Sequence, residues 1–252
     1  MVLINKITPH IGAEIKGVDF SKVISDEEHK LIYNALIENL VIFFRETKIS
    51  PRKHVEFSAL FGDLDLPHPV YPSVEGFNQI VKLENHKDNP PDTDAWHTDL
   101  TFKDVQPFAS VLVARSVPKI GGDTLWSSCY QAYERLPDGM KEDLASMKAI
   151  HDMGDFRNCF SVSRDGHTGV ERLKDGMSKF GQNIRNLIEV HPVSKRKYLN
   201  FNETFVSHIV GKTTNDSNLL KMFLGNHMNK PEDQVRWRWQ NGDLVMWDNR
   251  VT

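Results

Sequence analysis

Apolar positions in the first sixty residues change period in a way that can be read as elements. Leu31, Ile32, Ala35, Leu36 and Leu40 recur at helical spacing behind Ser25-Asp26-Glu27-Glu28, where serine and glutamate stand three apart as in a capping box. This predicts a helix over 26–39. It runs straight into Val41-Ile42-Phe43-Phe44, an unbroken apolar run that reads as a short buried strand. Residues 11–20 alternate loosely and read as a strand pair. Ser50 as cap, Pro51 at the first helical position and Gly62 after Phe61 frame a second helix. Pro67, Pro69, Pro72, Pro90 and Pro91 make 63–91 rich in loops, with one strand at 79–83.

Further along the pattern is mostly β, with short strands at 96–102, 109–114 and 124–126. Helices near 129–136 and 140–147 come next, then a polar segment over 161–183 that reads either as a mobile lid or as a surface insertion. A helix at 217–228 ends before Pro231. Val235, Trp237 and Trp239 alternate with Arg236, Arg238 and Gln240, and Asn241-Gly242 then leads into 244–247, which predicts a β-hairpin. No repeat or break in composition marks a second unit. Residues 1–252 therefore read as one domain, mainly β with flanking helices, built on a barrel or jelly-roll core.

Composition narrows the function. The 252 residues are 39% hydrophobic and 26% charged, enough for a sizeable core without disulfides, and Cys129 and Cys159 read as buried thiols of a reducing compartment. Lys and Arg number 31 against 34 Asp and Glu, a net charge of −3 with no long block of either sign, which argues against nucleic acid or a membrane surface as partner. No apolar run reaches the length of a membrane span and the first ten residues lack a signal-peptide pattern. The oligomeric state is left open, a homo-oligomer included.

With 11 His in the chain, metal chemistry is the first to test. His-x-Asp occurs twice. His86-Lys87-Asp88 leads into Asn89-Pro90-Pro91 and reads as solvated loop. His97-Thr98-Asp99 lies in the predicted strand 96–102, where period two puts the imidazole and the carboxylate on one face. That is two-thirds of the two-His-one-carboxylate set that leaves open positions on Fe(II). A buried His bonded to a nearby Asp is the structural alternative.

Taken together, Pro67-His68-Pro69-Val70-Tyr71-Pro72, Asp88 to Asp92, Trp96-His97-Thr98-Asp99, Gly121-Gly122-Asp123-Thr124-Leu125-Trp126, Asp155 to Phe160, Asn202-Glu203-Thr204-Phe205 and Val235-Arg236-Trp237-Arg238-Trp239-Gln240 through Trp247-Asp248-Asn249-Arg250-Val251-Thr252 resemble, in family order, the Fe(II)- and 2-oxoglutarate-dependent oxygenases of taurine catabolism. The resemblance implies a double-stranded β-helix, a jelly-roll and cupin-like fold, in a cytoplasmic enzyme of sulfur acquisition. It implies that His97 and Asp99 are iron ligands and that Thr124 helps hold the distal carboxylate of 2-oxoglutarate. His68 and Tyr71 correspond to residues at the sulfonate end of the substrate, and Leu100, Phe160 and Phe205 to apolar pocket positions. Thr93 stands where sulfonate-using members place an asparagine.

The activity implied is oxidative decarboxylation of 2-oxoglutarate by O2, to succinate and carbon dioxide, coupled to hydroxylation of the carbon bearing the sulfonate. Sulfite and an aldehyde then separate. An alkyl sulfate or an aryloxy acid is the same-family alternative. A non-catalytic jelly roll and a redox-inert zinc site are the alternatives from other classes. In the family pattern Trp-Asp-Asn-Arg-x-Thr-x-His the last iron ligand falls two places beyond Thr252, so the sequence reads as a carboxyl-terminal truncation that also lacks the cosubstrate arginine. His191, His208 and His227 are the other histidines to weigh as third ligand.

Overall fold

The computed structural model describes residues 2–65, 68, 71–87, 95–153, 178 and 181–252. Helix α1 (Asp26–Asn39) begins as the sequence predicts: Ser25 Oγ accepts the Glu28 amide at 3.2 Å while the Glu28 carboxylate accepts the Ser25 amide at 3.0 Å. It ends at Leu40, whose φ of +66° turns the chain directly into β3 (Val41–Phe44). Helix α2 (Pro51–Ala59) is capped by Ser50, with Pro51 in its first turn.

The main sheet has five strands in the order β1-β2-β3-β14-β6. They comprise β1 (Leu3–Lys6), β2 (Ala13–Lys16), β3, β14 (Leu244–Asp248) and β6 (Ala109–Val113). β14 lies between β3 and β6 and is antiparallel to both. Period two then explains why β3 and β14 are apolar at nearly every position. Ile42, Phe44, Leu244 and Met246 enter the core against α1 and α2, with Phe20, Leu36 and Phe57. Val41, Phe43 and Val245 point to the other face.

On that second face sits a two-stranded sheet of β7 (Thr124–Ser127) and β13 (Gln234–Trp237). Trp237 stacks on Phe43 at 4.1 Å between centroids and Trp126 meets the same ring edge-on, so two sheets share one core. Smaller sheets complete the described strands: β4 (Ser73–Val74) with β5 (Phe77–Val81), β8 (Lys148–His151) flanked by β9 (Asn183–Asn186) and β12 (Val206–Ile209), and β10 (Ile188–Val190) with β11 (Lys197–Leu199). Helices α3 (Cys129–Glu134), α4 (Asp138–Ala145) and α5 (Thr214–Met228) lie where the apolar spacing put them, within a few residues. Among the described residues no helix is long and apolar enough to cross a membrane.

Three expectations change. Residues 11–20 hold one strand, not two, because β2 takes its antiparallel partner from Leu3–Lys6. Residues 96–102 form no strand; the backbone turns at Asp99 and Leu100, where φ is +54°. The hairpin predicted around Asn241-Gly242 is absent as well. β13 pairs with β7 and β14 with β3 and β6, so the turn is a corner between sheets. Asp243 anchors it from a fully buried position, accepting Trp237 Nε1–H at 3.0 Å, the Gln240 amide at 2.8 Å and Arg45 at 2.5 Å. Those bonds fold the chain back on itself without a ladder. The segment 161–183 proposed as lid or insertion falls, but for Ser178 and 181–183, outside the described residues.

Candidate active site

The loop 95–103 has no strand ladder to hold it, and side-chain and backbone bonds from its surroundings do so instead. The Trp96 carbonyl accepts the Glu203 amide at 3.1 Å and the Thr204 hydroxyl at 3.3 Å. Thr98 Oγ1 donates to the Thr252 carbonyl at 2.8 Å, and Arg185 donates to the carbonyls of Thr101 and Lys103 at 2.7 and 2.5 Å. Thr101, fully buried, meets His151 Nδ1 at 2.8 Å.

His97 and Asp99 project from this loop to the same side, with His97 Nε2 3.6 Å from Asp99 Oδ1. Their shared side comes from the turn, not from strand period. His97 Nδ1 lies 3.1 Å from the Ala95 carbonyl. A carbonyl only accepts, so Nδ1 carries a proton and, in the neutral ring, Nε2 presents a lone pair toward Asp99. The other carboxylate oxygen, Oδ2, accepts the Ser110 hydroxyl at 2.6 Å. Two lone-pair donors thus face each other across a gap too long for a hydrogen bond, with both side chains oriented from behind, as metal ligands are. Among the described residues no group of three or more His, Cys, Asp or Glu side chains converges. The pair offers two of the donors that a metal site needs.

Beside it is a small apolar cluster separate from the two main cores: Leu100, Phe102, Met153 and Phe205, with Tyr71 packed against it. The His68 ring lies tilted against that of Tyr71, 4.9 Å between centroids, and its Nδ1 accepts the Tyr71 amide at 3.2 Å. Burial pushes the His68 imidazole down to about 4, with the negative charge of Asp99 pulling the other way. At neutral pH the ring is uncharged with its proton on Nε2. The structure thus brings together His97, Asp99, His68, Tyr71, Leu100 and Phe205, while Thr93 and Phe160 lie outside the described residues.

Thr124 opens β7, and its Oγ1 accepts the indole N–H of Trp239 at 2.9 Å. Trp239 also lines a surface cavity of about 550 Å³ with Lys119 and Arg238 on its wall. None of the site residues predicted from the sequence is among those that line that cavity.

The three histidines weighed as third ligand are engaged elsewhere. His191 is fully buried, its Nδ1 accepts the amides of Val193 and Ser194, and its Nε2 meets Asp248 at 3.1 Å. His208 Nε2 is 3.1 Å from the Lys212 carbonyl and His227 Nε2 is 2.7 Å from the Ala132 carbonyl. Cys129 is buried as the composition suggests, and burial pushes its thiol up to about 12, so it is unreactive at neutral pH. Sequence reasoning assigned no role to Ser110, Trp239 or Asn249. Of these, Trp239 and Asn249 stood inside quoted motifs.

Residues 3–252 match the family model described as "Taurine catabolism dioxygenase TauD, TfdA family". The chain is 34% identical to an alkylsulfatase of Acinetobacter baylyi over 99% of its own length and 78% of that protein. It is 32% identical to an alpha-ketoglutarate-dependent sulfate ester dioxygenase of Pseudomonas putida, over 99% of this chain and 82% of the relative. A crystal structure of a taurine dioxygenase from Burkholderia xenovorans superposes with a TM-score of 0.82 at 29% identity, covering 99% of this chain and 82% of that one.

Proposed function

From the premise that the chain belongs to the taurine catabolism dioxygenase TauD, TfdA family and is an alpha-ketoglutarate-dependent dioxygenase, we propose that it oxidises an alkyl sulfate ester or alkyl sulfonate at the carbon next to the sulfur-bearing group. The observation that carries this reading is the facing pair His97 Nε2 and Asp99 Oδ1, set beside His68 with Tyr71 and an apolar wall. Two sheets sharing one core support a jelly-roll reading of the fold.

In this reading His97 and Asp99 hold Fe(II), and the Thr124 hydroxyl donates to the distal carboxylate of 2-oxoglutarate. Bound iron and cosubstrate supply the oxidant, consuming O2 and giving succinate and carbon dioxide. The residues of the chain bind and orient the substrate. His68, neutral at working pH, recognises a sulfur oxyanion as a hydrogen-bond donor, not as a counter-charge. Tyr71 sits beside it, and Leu100, Phe102, Met153 and Phe205 receive the carbon chain. Hydroxylation next to a sulfate ester oxygen gives a hemiacetal-type product that separates into sulfate and an aldehyde; next to a sulfonate it gives sulfite and an aldehyde.

The apolar wall favours an alkyl tail over the ammonium of taurine, since a cation placed against it loses solvation without a counter-charge from those side chains. The names of the two relatives, alkylsulfatase and sulfate ester dioxygenase, support the ester. The purified full-length protein supplied with Fe(II), 2-oxoglutarate and O2 is tested with hexyl sulfate, hexanesulfonate, taurine and an aryloxyacetate. The expected result is succinate and sulfate in equal amounts from hexyl sulfate, at higher kcat/KM than any turnover of taurine. Substrate-independent loss of 2-oxoglutarate with every compound rejects the reading.

A further inference from the structure

We infer that Ser110 and Asn249 are positioning residues that fix the rotation of the Asp99 carboxylate, an assignment that rests on the reading of Asp99 as a metal ligand. Asp99 sits on a turn and its side chain is about a third exposed, so its own backbone does little to fix it. Ser110 is in β6, opposite Trp247 of β14 in the sheet register, and Asn249 is the first residue beyond that strand. The Asn249 backbone is bonded on both sides, its N–H to the Phe108 carbonyl and its C=O to Gln106 Nε2, each at 3.0 Å. The residue is fully buried.

From this anchor the side chains form a relay. Asn249 Nδ2 lies 2.9 Å from Ser110 Oγ, and Ser110 Oγ lies 2.6 Å from Asp99 Oδ2. Proton inventory fixes its direction. An ionised carboxylate only accepts, so the single hydroxyl hydrogen of Ser110 goes to Asp99, and Ser110 then accepts from the Asn249 amide. Asn249 Oδ1 is left buried without a partner. Turning the amide over would exchange donor for acceptor at Ser110 and take its hydrogen away from Asp99. The relay thus joins the ligand loop to the rigid end of β14, holds Oδ2 from behind and leaves Oδ1 directed toward His97 Nε2.

The test titrates the metal-free protein with Co(II) alone under anoxic conditions, reading its visible absorption, and follows unfolding of each metal-free variant in parallel. Loss of an outer-shell partner of a ligand predicts that Ser110→Ala weakens Co(II) binding about 10- to 100-fold, while Ser110→Thr, which keeps the hydroxyl, stays within about threefold of wild type. Asn249→Ala weakens binding less, and Ser110→Ala/Asn249→Ala no more than Ser110→Ala alone, because Asn249 acts through Ser110. Additive losses, or equal affinities of Ser110→Ala, Ser110→Thr and wild type, overturn the inference. So does a Ser110→Ala protein that is unfolded before metal is added, if Ser110→Thr folds but fails to bind as wild type does. His97→Ala and Asp99→Ala separate the two levels. If they bind Co(II) as wild type does, the ligand reading itself falls. If they lose binding while Ser110→Ala keeps it, only the relay does.

Discussion

Among the described residues two His–Asp pairs are of opposite design. His191 and Asp248 are each about 1% exposed at the side chain and meet at 3.1 Å. Val193 and Ser194 amides fill His191 Nδ1, and Arg250 grips both oxygens of Asp248. Burial alone would raise the Asp248 carboxyl, but the bonds from Arg250 and His191 hold it below the usual carboxylate range. His97 and Asp99 are 36% and 30% exposed and stand 3.6 Å apart, with their outer atoms engaged and their inner lone pairs facing. The first pair closes on itself; the second leaves His97 Nε2 and Asp99 Oδ1 facing each other without a hydrogen bond between them. Satisfaction, more than residue type or spacing, tells a structural His–Asp pair from a functional one.

The sharpest way to break this contrast is to truncate each pair. Asp99→Ala is expected to lower kcat/KM on the order of 10³-fold or more, since a metal centre supplies several kcal/mol of barrier lowering. Its unfolding free energy should change by no more than about 0.5 kcal/mol, as for other partly exposed sites. Asp248→Ala should do the reverse in kind, costing about 3–5 kcal/mol in urea unfolding because it leaves buried His191 and half-buried Arg250 without the carboxylate that both hold. A stability loss at Asp99 as large as that at Asp248 would contradict the distinction.

Burial without a charged partner gives a third case. His151 is fully buried, with Nδ1 on Thr101 and Nε2 lacking a partner, and burial, helped by the nearby Arg185, pushes its ring down to about 4. The unfolded chain takes up this proton near 6.5 and the folded chain only near 4. Stability is therefore full above pH 6.5 and declines as pH falls from 6.5 toward 4, by about 3 kcal/mol over the window. Urea midpoints at pH 7.5, 6 and 5 measure it. His151→Gln should flatten the slope across that window; an unchanged slope assigns it to other groups.

How much of this was legible in the sequence depended on how local its cause is. Ser25 and Glu28 specify the start of α1 within four residues, and β3 shows itself as four apolar residues together. Trp237 and Asn241-Gly242 misled because the turn dipeptide favours a hairpin only if the flanking strands find no better partners. Here β7 and β3 claim them, and Asp243 with Arg45, nearly two hundred residues away in sequence, fixes the corner. The same divide runs through the site. His97 and Asp99 were visible as a motif, but the reason they face each other was not. That lies in a left-handed turn at Leu100 and in bonds with Ser110, eleven residues from Asp99, and with Thr252 and Arg185, both remote in sequence.

The smallest expected effect concerns Thr124, whose situation repeats that of Asp99 with a hydroxyl in place of a carboxylate. Its Oγ1 accepts the Trp239 indole N–H at 2.9 Å, which directs its own hydrogen away from that bond and toward an acceptor such as the distal carboxylate of 2-oxoglutarate. Trp239→Phe keeps an aromatic ring of similar shape and removes only the N–H. Losing one neutral hydrogen bond is worth about 0.5–1.5 kcal/mol, so the KM for 2-oxoglutarate should rise roughly two- to tenfold with kcat nearly unchanged. Thr124→Val, which deletes the hydroxyl, should raise it further, and adding Trp239→Phe to Thr124→Val should do little more, because the indole has lost its acceptor already. If Trp239→Phe leaves the cosubstrate KM untouched while Thr124→Val raises it, the threonine orients itself. If both leave it untouched, the carboxylate is held by other residues and Thr124 belongs with His191 and Asp248 among the groups that serve the fold.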